Sequence, residues 1–280
     1  MKISHAINEL HEWRDCCDSV AFVPTMGNLH EGHLKLVSLA RQQANHVVVS
    51  IFVNPLQFGP GEDFLRYPRT LEQDAARLRE CGVDLLFAPD VNELYPHPQR
   101  CHIELPAIAS DLCGASRPGH FRGVATVVMK LLNLVRPQLA CFGKKDYQQL
   151  AIIRMMVEDF AIPIGIIAGE TVRAPDGLAL SSRNQYLTEA QRKQAPALYD
   201  ELQRIAAEAH TDADLTALEQ RAMQTLDSQG WQTDYISIRN RQLGSPTRQD
   251  TSLVVLGAAR LGSTRLIDNL EFDRPVLPQA

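Results

Sequence analysis

The sequence predicts an α/β chain: a Rossmann-like parallel sheet with helices on both faces, followed by a smaller C-terminal α+β domain. Three observations carry that expectation. Short runs rich in Val, Ile, Leu and Phe, bounded by Gly, Pro or Asn, recur from Val20 to Ala168. Amphipathic segments of helical length separate them, the pattern of βαβ units whose strands are covered on both faces. After Glu170 the texture changes to a polar loop, an Ala-, Gln- and Glu-rich helical stretch and then further strands. The division falls at 1–172 and 173–280.

Taken in order, strands are expected at Val20 to Val23, Val47 to Val53, Val83 to Ala88, Leu139 to Phe142 and Ile164 to Ala168. Between them lie helices from Glu31 to Ala44, Thr70 to Cys81, Val124 to Val135 and Tyr147 to Phe160; in the last, Leu150, Ile153, Met156 and Val157 recur at helical spacing. Past the loop containing Pro175-Asp176-Gly177, one long helix is expected from Glu189 to His210. Strands then follow at Thr233 to Arg239, Leu253 to Ala259 and Thr264 to Asn269, joined by loops containing Gly244 or Gly262. No internal repeat is present.

Composition narrows the function. With 45% apolar and 22% charged residues in 280, the chain has the balance of a packed globular enzyme. A formal net charge of −5 does not attract polyanions, so nucleic acid is not an expected partner. Met1 to Asp18 interleaves His5, Glu9, Arg14 and Asp15, unlike a secretion signal, and no apolar run has the length of a membrane span; a cytoplasmic location is expected. Six scattered cysteines form no C-x-x-C pair and no metal-ligand spacing, and are expected to be buried free thiols.

The most informative stretch runs from Val20 through Pro24-Thr-Met-Gly-Asn-Leu-His-Glu-Gly-His33, a strand entering a turn and then a helix. Helix N-termini offer backbone donors and partial positive charge to phosphate, and Gly27 and Gly32 allow a close approach. His30 and His33, three apart, share one side of the helix start, where they can donate to phosphate oxygens and stabilise charge on a departing pyrophosphate. The same spacing also suits a metal pair or two surface histidines; the metal alternative needs further ligands that nothing nearby supplies. A second signal, Leu180-Ser181-Ser182-Arg183-Asn184, gathers two hydroxyls and a guanidinium, although Ser and Asn are equally common in turns and caps.

Together, H-x-G-H after the first strand and a downstream Ser-Ser-Arg loop resemble the HIGH and KMSKS arrangement of class I nucleotidyl transferases. More narrowly, Pro24 to His33, Phe52-Val-Asn-Pro-Leu-Gln-Phe58, Arg117-Pro-Gly-His-Phe-Arg-Gly123, Phe142-Gly-Lys-Lys-Asp-Tyr-Gln-Gln149 and Leu180 to Asn184 resemble, in that order, the pantothenate synthetases. The resemblance implies ATP-dependent condensation of (R)-pantoate with β-alanine through a pantoyl adenylate, with Mg²⁺ accompanying ATP and no protein ligand named for it. It implies an ATP site of Met26, Gly27, Asn28, Leu29, His30, Glu31, Gly32 and His33, with Gly143, Lys144, Lys145, Asp146, Val172, Leu180, Ser181, Ser182 and Arg183. His33, His30, Lys145, Ser181, Ser182 and Arg183 would carry the catalysis, the histidines and Lys145 acting on the phosphates while the Ser-Ser-Arg loop closes over them. Gln57 and Gln149 would hold pantoate, their amides both donating and accepting; ordinary surface glutamine is the alternative. Lys144 stands where some members carry Glu, so only its backbone is assigned a part. Arg117 and His120 fit either a group that steers anionic pantoate or a solvated turn. Members of that family are typically homodimers.

Other functions remain open on the residues alone: an enzyme joining ATP to a mononucleotide, a relative that acylates tRNA, or a protein that binds ATP without turnover. The acidic balance counts against the second. A dinucleotide-binding oxidoreductase or a P-loop enzyme is excluded by the lack of G-x-G-x-x-G after the first strand and of G-x-x-x-x-G-K-[ST].

Overall fold

The computed structural model describes residues 1–209 and 214–274. The chain forms two compact units, Met1–Lys144 with Ile152–Thr171, and Lys145–Ala151 with Val172–Ala280.

The first unit is built on six parallel strands: β1 (Lys2–Ser4), β2 (Val20–Thr25), β3 (His46–Ile51), β4 (Leu85–Phe87), β5 (Leu139–Gly143) and β6 (Gly165–Gly169). Their spatial order is β1-β4-β3-β2-β5-β6. From β2 the chain steps outward through β3 to β4, then returns to the other side of β2 with β5 and β6. The direction of winding thus reverses between β2 and β5, and beyond the carboxyl ends of such a strand pair lies the crevice in which open α/β sheets bind ligands.

Alternation along the strands assigns the faces. Ala21 and Val23 of β2, Val47 and Val49 of β3, Leu86 of β4 and Cys141 of β5 share one core with Leu36, Val37 and Ala40 of α2 (Glu31–Arg41) and Ala75 and Leu78 of α3 (Leu71–Glu80). The intervening Val20, Phe22, Val48, Leu85, Phe87 and Ala140 are also fully buried. On their side of the sheet α6 (His120–Val135) lies against β2 and against α1 (Ile7–Arg14). Two one-turn helices, α4 (Val91–Leu94) and α5 (Cys113–Ser116), interrupt the segment before α6, and α7 (Tyr147–Asp159) follows β5.

Every strand and helix expected between Val20 and Ala168 is present. The largest shift is α6, which begins at His120 rather than Val124 because the apolar stripe already starts at Phe121, 4% exposed. The short edge strand β1 and the helix α1 have too weak a period to be read from sequence.

In the second unit three antiparallel strands, β7 (Gln232–Asn240), β8 (Ser252–Leu261) and β9 (Thr264–Asp273), lie in that order. They share a core with the helical stretch that precedes them: Ala195, Leu198, Leu202 and Ile205 pack with Leu218, Ala222 and Leu226 and with Ile236, Val255 and Leu266. The long helix expected from Glu189 to His210 is instead two, α8 (Glu189–Gln194) and α9 (Ala197–Glu208). Pro196 lacks the N–H that would continue the first, and His210 lies outside the described residues. The helix α10 (Leu215–Ser228), capped by Asp214 onto the amides of Thr216 and Ala217, has no counterpart among the elements expected from sequence.

Of the cysteines, Cys113 and Cys141 are buried, but Cys16 and Cys101 are exposed, which corrects the expectation that all would be core residues. Burial pushes the Cys141 thiol up to about 11, so it stays protonated and unreactive at neutral pH. No described helix is long and apolar enough to cross a membrane.

Leu78 is fully buried on the face of α3 that meets the sheet. Leu78→Ala should lower unfolding free energy by about 2–5 kcal/mol, measured by urea denaturation, through lost transfer energy and an unfilled cavity.

Candidate active site

In the first unit the site begins where β2 ends. Gly27 (φ 83°) and Asn28 (φ 51°) turn the chain in the left-handed region before α2. A side chain at Gly27 would also press on Ile51 Cγ2 at 3.0 Å and Asp74 Oδ2 at 3.2 Å. The turn is held from outside its own sequence. Asp74 of α3, 2% exposed, accepts from the amide of Asn28 through Oδ2 and from that of Leu29 through Oδ1, both at 2.8 Å, and from Thr70 Oγ1 at 3.0 Å. One turn further along α3, Arg77 donates to the Leu29 carbonyl at 2.7 Å.

His30 is the N-cap of α2: its Nδ1 accepts from the Gly32 amide at 3.2 Å, and His33 Nδ1 accepts from the His30 amide at 3.3 Å. Because backbone N–H only donates, both Nδ1 atoms are unprotonated, and each neutral ring carries its hydrogen on Nε2. The two rings lie 4.1 Å apart. The Gly32 amide, which helix-terminus reasoning offers to phosphate, is thus already engaged by His30. The His33 amide pairs with the His30 carbonyl at 2.8 Å. Glu31 is exposed, while Met26 and Gly32 are half-buried.

Gln57 is only 8% exposed, which removes the surface-glutamine alternative for it. It closes a short turn, Pro55–Gln57, after β3, capped by the Asn54 side chain. Its Oε1 accepts from Asn54 Nδ2 at 3.1 Å and its Nε2 lies 3.1 Å from Met26 Sδ, so the structure brings Gln57 and Met26 together. Asn54 is itself fixed, donating to the Gly123 carbonyl at 3.1 Å and accepting from Tyr95 Oη at 3.0 Å. Burial raises the Tyr95 phenol well above its ordinary value, so it remains a donor. At Gly123 a Cβ would sit 2.1 Å from the Leu56 carbonyl oxygen: α6 and the Gln57 turn meet backbone to backbone there, and no other residue fits. Arg117 and His120 are not a solvated turn either. Arg117 grips Glu62 with two 2.7 Å bonds. Burial opposes charge on Glu62, but those bonds and the guanidinium charge outweigh it and hold the carboxyl below its usual range.

Gly143 ends β5, the strand beside β2, and Lys144 follows it, its Nζ 2.7 Å from Glu170 Oε1. That ion pair leaves the assignment of Lys144 to its backbone consistent with where its side chain goes.

In the second unit, Val172 and Leu180 face each other across the Pro175-Asp176-Gly177 turn, the Leu180 amide donating to the Val172 carbonyl at 2.9 Å. Ser181 caps the short turn Ser182–Tyr186 by accepting from the Arg183 amide at 3.2 Å. Ser181, Ser182 and Arg183 are half-buried. Two adjacent residues of β9 gather these pieces. Asp268 receives both terminal nitrogens of Arg173, at 2.6 and 2.9 Å, with the guanidinium stacked 3.5 Å over the Tyr199 ring. Asn269 donates to the Lys145 carbonyl at 2.9 Å, and Tyr147 Oη to Glu271 at 2.9 Å. The Lys145 backbone and Arg173, the residue after Val172, are in this way both tied to β9. Asp146 is exposed, and Gln149 is half-buried on α7.

Sequence reasoning missed Asp74, Asn54, Arg173, Asp268 and Asn269. One signal was available: Asp74 falls on the stripe of Leu71, Ala75 and Leu78, a charge where the helical period demands an apolar residue. Among the described residues no group of three or more His, Cys, Asp or Glu is placed to hold a metal ion.

Comparison with known proteins follows the same outline. The model of the pantoate-beta-alanine ligase family matches residues 2–271. A pantothenate synthetase of Neisseria meningitidis serogroup A is 57% identical over 278 residues, covering 98% of this chain and 100% of that protein. The crystal structure of pantothenate synthetase from Thermus thermophilus superposes with a TM-score of 0.91 at 45% identity, covering 96% of this chain and 99% of that one. That of pantoate-beta-alanine ligase from Francisella tularensis, complexed with beta-gamma ATP and beta-alanine, gives 0.81 at 37% identity, covering 96% and 97%.

Asp74→Asn keeps one acceptor oxygen but turns an NH₂ toward one of the two loop amides. It should cost about 1–3 kcal/mol of stability and accelerate hydrogen exchange at Asn28 and Leu29 relative to β2, read by native-state exchange.

Proposed function

This chain belongs to the pantoate–β-alanine ligase family, and from that premise we propose how its own residues carry the family's reaction, the ATP-dependent condensation of pantoate with β-alanine. The pantoate carboxylate attacks the α-phosphorus of ATP, forming a new P–O bond as the bond to pyrophosphate breaks. The β-alanine amine then adds to the acyl carbon, loses its proton and expels AMP. A carboxylate cannot lose oxide to an amine, whereas an acyl phosphate ester loses AMP readily, which is the chemical reason for consuming ATP.

The observation that carries the reading is the pair of imidazoles at the start of α2, each with Nδ1 held as an acceptor and Nε2 bearing hydrogen. They are neutral donors at the carboxyl end of β2, where winding reverses, and suit phosphate oxygens whose charge grows as pyrophosphate leaves. In this proposal Met26 to His33 and Gly143 to Asp146 bind ATP, with Lys145 a point charge on its phosphates. Val172 contacts the base, and Leu180 to Arg183 supply hydroxyls, an amide-capped turn and a guanidinium to the triphosphate. Gln57 and Gln149 bind pantoate, Gln57 from a carboxamide already oriented by Asn54. Mg²⁺ would accompany ATP and neutralise phosphate charge, held mostly by phosphate oxygens and water. A cytoplasmic homodimer completes the proposal, by resemblance to the family and from the sequence composition.

AMP should form from ATP only when pantoate and β-alanine are both supplied, whereas pyrophosphate and a trappable pantoyl adenylate should form from ATP and pantoate when the amine is withheld. Turnover with a mononucleotide acceptor and no amine would overturn the reading. His33→Ala and Lys145→Ala should each lower kcat by about a hundredfold or more with circular dichroism unchanged; rates near wild type remove their catalytic roles.

A further inference from the structure

The turn before α6 contains a hydrogen-bond arrangement that selects one protonation state. Besides its two bonds to Glu62, Arg117 places Nη1 2.9 Å from His120 Nε2 and Nη2 3.4 Å from the Gln57 carbonyl. His120 Nδ1 lies 2.8 Å from that same carbonyl. A guanidinium N–H only donates, so His120 Nε2 must accept; a carbonyl only accepts, so Nδ1 must carry the hydrogen. The neutral Nδ1–H tautomer alone meets both demands, the opposite of the tautomer at His30 and His33. Arg117, from the turn beside it, and Glu62, from the loop after the Pro55–Gln57 turn, are charged groups that face this ring, and Phe121 packs 4.9 Å from it. A second ring proton would set N–H against the N–H of Arg117 and pull the guanidinium off its Glu62 grip.

The geometry points to His120 as a positioning residue: as a neutral Nδ1–H donor it anchors the Gln57 backbone, and through it the carboxamide that meets pantoate, so that pantoate affinity depends on its protonation. The inference rests on Gln57 being a pantoate ligand. It concerns a residue that need not touch substrate. The anchor is shared with the close backbone contact at Gly123, one turn further along α6, where the helix meets Leu56 and Gln57. Loss of the histidine bond therefore loosens the turn without unfolding it.

The test measures KM for pantoate and for ATP separately in wild type, Gln57→Ala, His120→Gln and His120→Asn. Asn at 120 returns an N–H near the position of Nδ1 and does not titrate, whereas the longer Gln reaches toward Arg117 and leaves the Gln57 carbonyl without that donor. His120→Gln should raise KM for pantoate about five- to tenfold with KM for ATP unchanged, and His120→Asn should restore most of the loss. Between about pH 8 and about pH 5, the range in which histidine changes charge, pantoate KM should climb in wild type and stay flat in His120→Asn. If Gln57→Ala raises pantoate KM but His120→Gln does not, the positioning role is wrong. Parallel pH profiles in wild type and His120→Asn overturn the protonation dependence. An unchanged KM in Gln57→Ala instead condemns the assignment of Gln57 itself.

Discussion

The first unit depends on one carboxylate that accepts hydrogen bonds from a loop lying between strand and helix. Residues 26–30 leave β2 through two left-handed backbone positions, so the strand ladder ends before them and the helix has not yet begun. Asp74 supplies acceptors to two of their amides from a neighbouring helix, and Arg77 takes a carbonyl of the same loop. Because α3 is itself keyed into the sheet by Ala75 and Leu78, the rigidity of the core is passed to the start of α2. The histidine pair inherits its geometry from that chain of contacts. Buried polar groups carry such roles well, since every bond they make is costly to break in a low-dielectric interior.

The same arrangement recurs around Gln57 and in the second unit. Asn54 uses each end of its amide on different elements, accepting from Tyr95 and from the Leu56 amide and donating to Gly123 and Gln57. Asp268 and Asn269, adjacent on β9, fix Arg173 beside Val172 and the backbone of Lys145. In each case a segment proposed to meet substrate is held by a buried polar residue. Opposite tautomers at His30 and His33 on one hand and His120 on the other follow from the same rule: the fixed partner, a backbone N–H or a carbonyl and a guanidinium, decides which ring nitrogen keeps its hydrogen.

Much of the fold is legible in the sequence. The parallel strands from β2 to β6 and their intervening helices announce themselves because doubly covered strands are nearly continuous in Val, Ile, Leu and Phe. Elements with weaker signals are lost: β1 is three residues at a sheet edge, and the apolar period of α10 is diluted by its polar content. The break at Pro196 is readable, but the length of the Ala-, Gln- and Glu-rich run around it suggests one continuous helix. Of the site, the motif stretches can be picked out one by one, because turn glycines, paired histidines and hydroxyl-rich loops have local chemical reasons to occur together.

What the sequence determined by itself is whatever depends on neighbours along the chain: which segments are strands or helices, where the glycine-, histidine- and hydroxyl-bearing turns lie, and, by resemblance, the family. Tertiary structure alone decided which buried polar groups hold those turns, that Gln57 is enclosed and oriented while Lys144 is paired away, and which nitrogen of each histidine bears hydrogen. The physical reason is that these properties belong to pairs such as Asp74 with Asn28, Asn54 with Gly123 and His120 with Gln57. Their members lie far apart along the chain, and only the winding of the strands and helices that carry them brings donor within reach of acceptor.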